Sequence, residues 1–442
     1  MKGIPPKIIK WLADDIAPVL TKIFNKFFDS GIYPKIFKIA KVTALSKGGD
    51  KTDGDNYRPI SVLTQLNQIF EKLIHSRLYE FMKDKLHTNQ FGFQKGHSTA
   101  HAITSLHEHL VNNIERHKVS ALLFLDLKSA FDTVNPEILI QKLEHYGVRG
   151  KMLLVLSSYL HDRKQYVKGD VFESIVLSVL IGVPQGSVLG PLLFIIYIND
   201  IVNCSKLFEV LFADDAALVA SDEKIKKVNK IMNAEMKLIS KWLVANRLTL
   251  NLKKTKFMVI CNKKGEHIQK LIKKFKVNIN NYCIKQVSEF KYLGLLFNNK
   301  LNWHNHIEYL CTKISKAVGV LSQLKYRLPR PVLKMIYHSL IASYLRYGVI
   351  TWGSAKSTAM KKLNSLNDRA LKIISPRNVS LDAAYQYSKA LTIESLFKFE
   401  LAKFIHAIST EKQPKAFTSY VIPISHTYQT RARENGCRQL YR

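Results

Sequence analysis

Hydrophobic residues recur along the chain with two different spacings, and the spacing predicts where helices and strands lie. Apolar residues that return every three or four positions indicate one face of an amphipathic helix. Short apolar runs bounded by turn residues indicate strands. Helices are predicted within 1–37 and then at 62–82, 98–117, 223–245, 303–321, 331–347 and 357–374. Strands are predicted at 42–47, 119–126, 164–169, 174–181, 207–212 and 216–220.

Two adjacent aspartates, Asp214 and Asp215, separate the apolar runs 207–212 and 216–220. Read as two strands, these runs predict a tight hairpin with both aspartates at its tip. Carboxylates held this close repel each other unless a cation lies between or beside them. An isolated Asp-Asp pair is more often a simple turn, so a metal site is indicated only if other carboxylates accompany it.

A third carboxylate stands at the end of another predicted strand. The continuous apolar run 119–125 leads into Asp126, which small residues follow. If Asp126 meets the Asp214–Asp215 hairpin, the three carboxylates form a clamp for two divalent ions. Mg²⁺ is the leading candidate, with Mn²⁺ as the alternative, because Mg²⁺ takes oxygen ligands and keeps several waters and substrate phosphates.

The composition points to a polyanionic partner. The chain has 442 residues and a formal net charge of +33, from 67 Lys and Arg against 34 Asp and Glu. Such an excess favours nucleic acid, and it is concentrated in 221–280, which we expect to follow a phosphate backbone. The hydrophobic fraction of 47% excludes a disordered protein.

The five cysteines lack the paired spacing of a zinc knuckle or a disulfide framework, which favours a reducing compartment. The N-terminus has no signal-peptide pattern, and the most apolar run, 192–198, is too short to cross a membrane. We therefore expect an intracellular protein of the nucleus or cytoplasm. Four histidines of the helix 98–117 are predicted to lie on its surface: His101, His107, His109 and His117.

Three motifs occur in order along the chain. They are Leu-Asp-Leu-Lys-Ser-Ala-Phe-Asp at 125–132, Gly-Val-Pro-Gln-Gly-Ser-Val-Leu-Gly-Pro at 182–191 and Phe-Ala-Asp-Asp at 212–215. Together they resemble the palm motifs of a reverse transcriptase from a non-LTR retrotransposon of the jockey or LINE type. The resemblance implies an α+β right-hand polymerase with fingers, a palm with an antiparallel sheet, a helical thumb and a helical C-terminal extension.

The resemblance also implies a division of the chain. We expect an N-terminal helical extension at 1–37, fingers and palm at 38–300, a helical thumb or connection at 301–375 and a weakly patterned extension at 376–442. Relatives usually carry an endonuclease upstream, and we expect this chain to lack it. A separate endonuclease would then be needed for priming at a target. The implied partners are an RNA template, a DNA primer and dNTPs; the oligomeric state stays open.

Roles for individual residues follow from the same resemblance. The implied metal ligands are Asp126, Asp214 and Asp215, and the implied general acid is Lys254, with Lys256 as its rival. Nucleotide contacts are implied for Lys47, Arg58, Phe131, Gln185 and Gly186. The implied primer grip is the turn Tyr292, Leu293 and Gly294.

Details of the motifs separate the possible activities. Phe131 would pack beneath the sugar and exclude a 2′-hydroxyl, and Asp132 would orient the turn after it. Gln94 stands where relatives often have a basic residue, which weakens the template contact implied for 89–96. Two alternatives remain: a catalytically silent RNA-binding protein of retroelement origin, and a DNA- or RNA-templated RNA polymerase on the same palm. The three aspartates oppose the first alternative and the bulky Phe131 opposes the second.

Overall fold

The computed structural model describes residues 4–169, 172–280, 282–410, 414–423 and 438–440. Its helices are α1 Pro6–Trp11, α2 Ala13–Ser30, α3 Gln65–Met82, α4 Thr99–Glu115, α5 Pro136–His145, α6 Gly150–Leu160, α7 Leu189–Ile198, α8 Ile225–Ala245, α9 Glu266–Lys273, α10 His304–Leu324, α11 Arg330–Tyr337, α12 Ser343–Arg346, α13 Val349–Trp352, α14 Ser357–Ile374, α15 Leu381–Ser388 and α16 Ile393–Ser409. None of the helices in these ranges is both long and apolar enough to span a bilayer.

The strands of the described ranges form two larger sheets and three small pairs. They are β1 Ile39–Ser46, β2 Tyr57–Val62, β3 Val119–Asp126, β4 Arg163–Val167, β5 Leu177–Val179, β6 Phe208–Phe212, β7 Asp215–Asp222, β8 Lys256–Ile260, β9 Asn278–Ile279, β10 Tyr282–Cys283, β11 Lys285–Gln286, β12 Glu289–Tyr292, β13 Leu295–Asn298, β14 Val421–Pro423 and β15 Arg438–Leu440. The mixture of helices and sheets confirms the predicted α+β class.

The central sheet has five strands in the order β11-β8-β3-β7-β6. Strand β3 lies in its middle and pairs antiparallel with both β7 and β8, while β11 joins β8 in parallel. All residues of β3 except Asp126 are buried, which is why its sequence is a continuous apolar run. The register sets Asp126 opposite Asp215, so the sheet ends on two facing carboxylates.

Each face of the central sheet covers a different hydrophobic core. Leu123, Leu125 and Leu218 face one core, which includes the apolar helix α7 and the inner face of α8. Phe124 and Ala217 face the other, together with α4, the β12–β13 hairpin and the C-terminal helices. Because side chains alternate along a strand, Asp126 and Asp215 belong to the second face, at the edge of this C-terminal core.

A second sheet, in the order β2-β1-β4-β5, flanks the central one. Its strands β1 and β2 are antiparallel, and β1 and β4 are parallel. Helix α3 follows β2 and packs on α7, which carries the second sheet next to the 182–191 loop.

Helices α10, α11 and α14 pack against one another beyond the β12–β13 hairpin, and we call them the thumb helices after the predicted thumb or connection at 301–375. Between α11 and α12, residues His338–Ala342 form a π-helical turn, so the predicted single helix 331–347 is interrupted. The bounds of α15 and α16 were not predicted from the sequence, which implied only a helical C-terminal extension. Leu396, Phe404 and Ile408 of α16 nevertheless lie in the same core as the thumb helices.

Two expectations need correction. The tip of the aspartate hairpin is Ala213 and Asp214, and Asp215 already belongs to β7. The histidines His101, His107 and His109 are half-buried rather than on the surface, because α4 is covered on two sides. His101 contacts Phe404 and Phe417, and the ring of His109 stacks on Phe208 with centroids 3.7 Å apart. Burial lowers the pKa of both histidines to about 4.

Candidate active site

The centre of the candidate site is the end of the β3–β7 ladder. Asp126 and Asp215 are directly paired residues of adjacent strands, a position at which Cβ atoms lie roughly 4.5–5.5 Å apart. Asp214 precedes Asp215 in the turn and is exposed. The structure therefore brings the three predicted carboxylates to one edge of the central sheet.

The three carboxylates repel one another. Burial raises the pKa of Asp126, the Lys254 ammonium opposes this rise, and the charge of Asp214 adds to it. The pKa of Asp215 is raised to about 6, first by burial and then by Asp214 and Asp126. Asp215 is exposed at the edge of the sheet, and the protein on its inner side together with the two neighbouring charges disfavours its ionised form. A cation placed here would relieve that repulsion.

The carboxylates provide a donor set that fits a divalent cation only in part. In the described ranges, no three His, Cys, Asp or Glu side chains converge into a complete metal-binding cluster. Mg²⁺ is commonly held by one or two carboxylates, with waters and substrate phosphates completing its shell. An incomplete set of carboxylate oxygens at an open edge therefore suits an ion that binds together with a phosphorylated substrate.

A cavity of about 430 Å³ opens beside the carboxylates. Asp126, Asp215, Lys254, Tyr292 and Leu293 contribute to its lining. The Tyr292 hydroxyl is buried, and no described residue hydrogen-bonds to it. Burial, followed by the charge of Asp215, raises the pKa of this phenol. Because Tyr292 keeps its proton, its hydroxyl is available as a donor to a ligand in the cavity.

Lys254 is brought to the carboxylates by the segment that follows α8. The Asn251 amide donates to the Asp126 carbonyl over 2.7 Å, and the Asp126 amide donates to Thr255 Oγ1 over 3.4 Å. These two bonds fix the segment across the end of β3, with Lys254 exposed between them. The ammonium of the rival Lys256 donates to the Lys253 carbonyl within the same segment.

The aspartate turn is supported by a buried glutamine that the sequence analysis did not single out. Gln90 is fully buried, and its Oε1 accepts from the amides of Gly92 and Ala213 over 2.8 and 3.1 Å. Ala213 has a φ of +54°, a strained conformation for a residue with a Cβ. A Cβ on Gly92 would lie 2.3 Å from the Ala213 nitrogen, so only glycine allows this approach.

A second polar group lies on the side of the second sheet. Gln185 Nε2 donates to both carboxylate oxygens of Asp132 over 3.0 Å, and the Ser61 amide of β2 donates to the Gln185 carbonyl over 2.6 Å. Burial raises the pKa of Asp132, while the Gln185 hydrogen bond and the charge of Lys47 oppose the rise. Gly186 has a φ of +106°, and a Cβ there would lie 2.7 Å from the Ser61 carbonyl oxygen.

A buried carboxylate, Glu71 of α3, also hydrogen-bonds to the 182–191 loop. Its Oε2 accepts from the amides of Val188 and Leu189 over 2.6 and 3.2 Å. These amides lie at the start of α7, where backbone donors lack partners within the helix. Burial raises the pKa of Glu71, and the two backbone hydrogen bonds oppose the rise. Glu71 thus links the position of Gln185 to α3.

The remaining predicted residues fall into three places. Phe131 is half-buried between Phe194, which it stacks on at 4.7 Å, and Phe93, which it meets edge-on at 6.1 Å. Arg58 lies on β2 with its side chain exposed, and no described contact joins it to the other predicted site residues. Leu293 and Gly294, with φ values of +43° and +88°, form the turn of the β12–β13 hairpin.

The hairpin turn is attached to the C-terminal helices. The Tyr347 hydroxyl donates to the Leu293 carbonyl over 2.5 Å, and the Tyr347 ring lies 3.0 Å from where a Cβ of Gly294 would be. Two positive φ values in a two-residue turn give the strand twist that such hairpins favour. The structure thus places the turn between the carboxylate cavity and the segment that joins α12 to α13.

Comparison with known proteins gives one family match. The model described as "Reverse transcriptase (RNA-dependent DNA polymerase)" matches residues 48–297. The "RNA-directed DNA polymerase from mobile element jockey" of Drosophila melanogaster is 28% identical over 386 residues, which cover 84% of this chain and 41% of that protein. The "Probable RNA-directed DNA polymerase from transposon BS" of the same species is 27% identical over 394 residues, 85% of this chain and 41% of that one.

This chain therefore spans about two fifths of the length of those curated relatives, as the two 41% shares show. Among solved structures, apo telomerase from Candida tropicalis aligns with a TM-score of 0.44 and 15% identity, over 91% of this chain and 68% of that one.

Proposed function

Because the chain belongs to the reverse transcriptase (RNA-dependent DNA polymerase) family, we propose that it copies RNA into DNA by adding dNTPs to the 3′-hydroxyl of a DNA primer. We further propose that it derives from a non-LTR mobile element, since relatives such as the jockey and BS polymerases align with more than four fifths of it. The observation that supports the proposed chemistry is the meeting of Asp126, Asp214 and Asp215 at one edge of the central sheet.

We assign the proposed metal-binding role to these three aspartates, with two Mg²⁺ ions as the cofactor and Mn²⁺ as the alternative. When bound, such ions lower the cost of forming the attacking alkoxide and neutralise charge on the triphosphate. The carboxylates repel one another in the protein alone, which favours binding of cations at this edge.

The other proposed roles concern the nucleotide. Lys254, exposed beside Asp126, is proposed to hold the proton that passes to the leaving pyrophosphate. Lys47, the residue after β1, and Arg58 of β2 are proposed to bind the triphosphate, for which a Lys point charge and a bidentate Arg are suited. Phe131 is proposed to exclude a 2′-hydroxyl.

The remaining proposed contacts concern the template and primer. We propose that Gln185 and Gly186 line the ribose and the template; their present contacts are to Asp132 and Ser61. Tyr292, Leu293 and Gly294 are proposed to press on the primer backbone from beside the carboxylate cavity. The proposed partners are thus an RNA template, a DNA primer and dNTPs.

Primer extension on poly(rA)/oligo(dT) tests the proposal. The purified chain should incorporate dTTP in the presence of Mg²⁺ and lose this activity in excess chelator. Replacing dTTP with UTP distinguishes the RNA-polymerase alternative. Asp214→Ala, purified in parallel, controls for a contaminating polymerase. An Asp214→Ala preparation as active as the unaltered chain, or a chain that binds RNA but never extends, would reject the proposal in favour of a silent RNA-binding protein.

A further inference from the structure

A cavity of about 650 Å³ lies between the C-terminal end of α10, the start of α11 and the C-terminal half of α14. Helix α10 starts beside β13 and has 21 residues, so its far end lies roughly 30 Å from the hairpin. We call this feature the basic thumb cavity. Its lining residues are Lys325, Tyr326, Arg330, Leu333, Ser365, Asp368, Arg369, Lys372, Ile373, Ser375 and Arg377. It shares no residue with the carboxylate cavity.

The charges around the basic thumb cavity are strongly unbalanced. Five of its lining residues are cationic: Lys325, Arg330, Arg369, Lys372 and Arg377. Within the described ranges, none of these five side chains forms a salt bridge. The single acidic lining residue, Asp368, accepts a hydrogen bond from the Tyr385 hydroxyl over 2.7 Å. The C-terminal end of α14 adds only a partial negative charge, so the cavity as a whole attracts anions.

A buried hydroxyl that lines the cavity has no hydrogen-bond partner among the described residues. Ser375, the residue after α14, is only 5% exposed, and its Oγ hydrogen-bonds to no described residue. Buried polar groups are rarely left without a hydrogen bond. An unpaired hydroxyl among five cations is therefore suited to donate to an oxygen of a bound anion.

An aromatic side chain is exposed at the same place. Tyr326 is 76% exposed, and the Lys325 ammonium lies 4.6 Å from the centre of its ring. Free inorganic phosphate would make no stacking contact with an exposed aromatic ring. Nucleobases do stack on such rings, while nearby cations bind the adjoining phosphates. Arginine adds bidentate contacts to phosphate oxygens.

We propose that the basic thumb cavity binds single-stranded nucleic acid, with backbone phosphates held by Arg330, Arg369 and Lys372 and a base stacked on Tyr326. The site is separate from the proposed polymerase site and needs neither a primer nor dNTPs. Its failure and that of the polymerase proposal can therefore be told apart, because strand binding is measured without extension.

The test measures binding of a fluorescein-labelled 15-nucleotide oligouridylate to the full chain by anisotropy, at several salt concentrations and without dNTPs. The triple variant Arg330→Gln/Arg369→Gln/Lys372→Gln should bind about tenfold or more weakly. The slope of log K against log salt should become shallower by about 2, because each lost phosphate contact contributes roughly 0.7 to it. The matched control is Lys316→Gln/Lys361→Gln/Lys362→Gln, which removes the same charge from the exposed surface of α10 and α14. Equal losses in the two triple variants would overturn the proposal.

Single substitutions test the hydroxyl and the ring. Tyr326→Ser should weaken binding about tenfold, while Tyr326→Phe keeps the ring and should bind normally. Ser375→Ala should weaken binding severalfold without lowering the midpoint of urea unfolding, since it removes a group that has no partner. Wild-type affinity in both Tyr326→Ser and Ser375→Ala would overturn the proposed contacts.

Competitors and a second strand identify the ligand. Oligothymidylate of the same length should bind similarly, because the proposed contacts are to phosphates and a base face. Inorganic phosphate and poly-glutamate should displace the strand only at far higher concentrations. A strict requirement for the 2′-hydroxyl, displacement by inorganic phosphate at concentrations similar to the strand, or equal displacement by poly-glutamate would each overturn the proposal.

Discussion

The aspartate edge of the central sheet and the basic thumb cavity both gather like charges, but they do so in different surroundings. Asp126 and Asp215 are paired residues of neighbouring strands, and burial raises the pKa of each. Arg330, Arg369 and Lys372 are exposed residues of two helices. Water surrounds the cations and weakens their repulsion. Asp215 is exposed as well, but protein lies beside it and beside the half-buried Asp126, so their repulsion is weakened less.

The aspartate edge and the basic thumb cavity depend on the rest of the fold to different degrees. The aspartate edge requires supports such as the buried Gln90 and the Asn251 segment, since charges that repel must be held in place. The basic thumb cavity requires only that three helix segments meet. We therefore expect substitutions near the aspartates to change chemistry and stability, and substitutions in the cavity to change affinity and its salt dependence.

The largest expected effect separates chemistry from binding. Asp126→Asn should slow primer extension by roughly 10³-fold or more, because several kcal/mol of transition-state stabilisation depend on this carboxylate. Affinity for oligouridylate should stay within about twofold, as the cationic contacts persist. Single-turnover extension and anisotropy measure the two quantities. Asp222→Asn, at the opposite end of β7, is the matched control and should keep both. If Asp126→Asn lost extension and oligouridylate binding together, the aspartate edge and the basic thumb cavity would not have separate roles.

The next effect tests the buried supports. Gln90→Leu removes the acceptor of two buried amides, and each unpaired donor costs about 1–3 kcal/mol. The free energy of unfolding in urea should fall by about 2–4 kcal/mol, and extension should slow about tenfold or more because the turn bearing Asp214 loses its anchor. Gln269→Leu, on exposed α9, should change neither quantity. An unaltered extension rate in Gln90→Leu would mean that the turn bearing Asp214 keeps its conformation without the Gln90 hydrogen bonds.

A carboxylate away from the aspartates shows whether burial at this sheet raises pKa values generally. Glu209 of β6 is 3% exposed, and burial raises its pKa from 4.5 to about 7. The folded state therefore binds this proton more tightly than the unfolded state, so its contribution to stability is present below pH 4.5 and is lost as the pH rises to about 7. Glu209→Gln should be more stable than the unaltered chain at pH 8 by up to about 3 kcal/mol, and similar at pH 5.

Urea unfolding at the two pH values measures this difference. Glu115→Gln, an exposed position at the end of α4, is the control and should show no pH-dependent change. A Glu209→Gln variant equally stabilised at both pH values would indicate improved packing and leave the burial argument without support.

The smallest expected effect concerns sugar selection. Phe131→Val should lower the preference for dTTP over UTP by about tenfold in kcat/KM, since a wall beneath the sugar recedes. Phe93→Leu, which alters the edge-on neighbour of Phe131, is the comparison variant. An unchanged preference would leave Phe131 as an aromatic of the core, stacked on Phe194.

The sequence predicted well those elements whose pattern is local. The run 119–126 became β3 with Asp126 at its end, and Ser357–Ile374 has the predicted bounds of a helix. Hydrophobic period and turn residues report on neighbours a few positions away, which is enough for such elements. The meeting of Asp126 with the aspartate hairpin was implied by the resemblance of the three motifs, since hydrophobic spacing alone left it open.

Residues whose partners are distant in sequence were missed or placed wrongly. Gln90 binds the Ala213 amide and Glu71 binds Val188, each more than a hundred positions away. His109 was expected at the surface because the pattern of α4 does not reveal that Phe208 covers it. The basic thumb cavity combines the ends of three helix segments between 325 and 377, and no spacing rule joins them.

The central position of β3 has a consequence for how the chain reaches its native state. Its partners β7 and β8 lie about 90 and 130 residues further along, and contacts between such distant segments form slowly because a long loop must close first. During synthesis, the paired carboxylates cannot meet until Asp215 has left the ribosome, and β3 stays unpaired on its other side until Ile260 has followed. Ribosome-bound chains halted before residue 215 should therefore be cleaved by protease within 119–126, and chains halted well beyond 260 should resist. The apolar strand that ends on Asp126 thus spends much of translation exposed, where a chaperone can bind it.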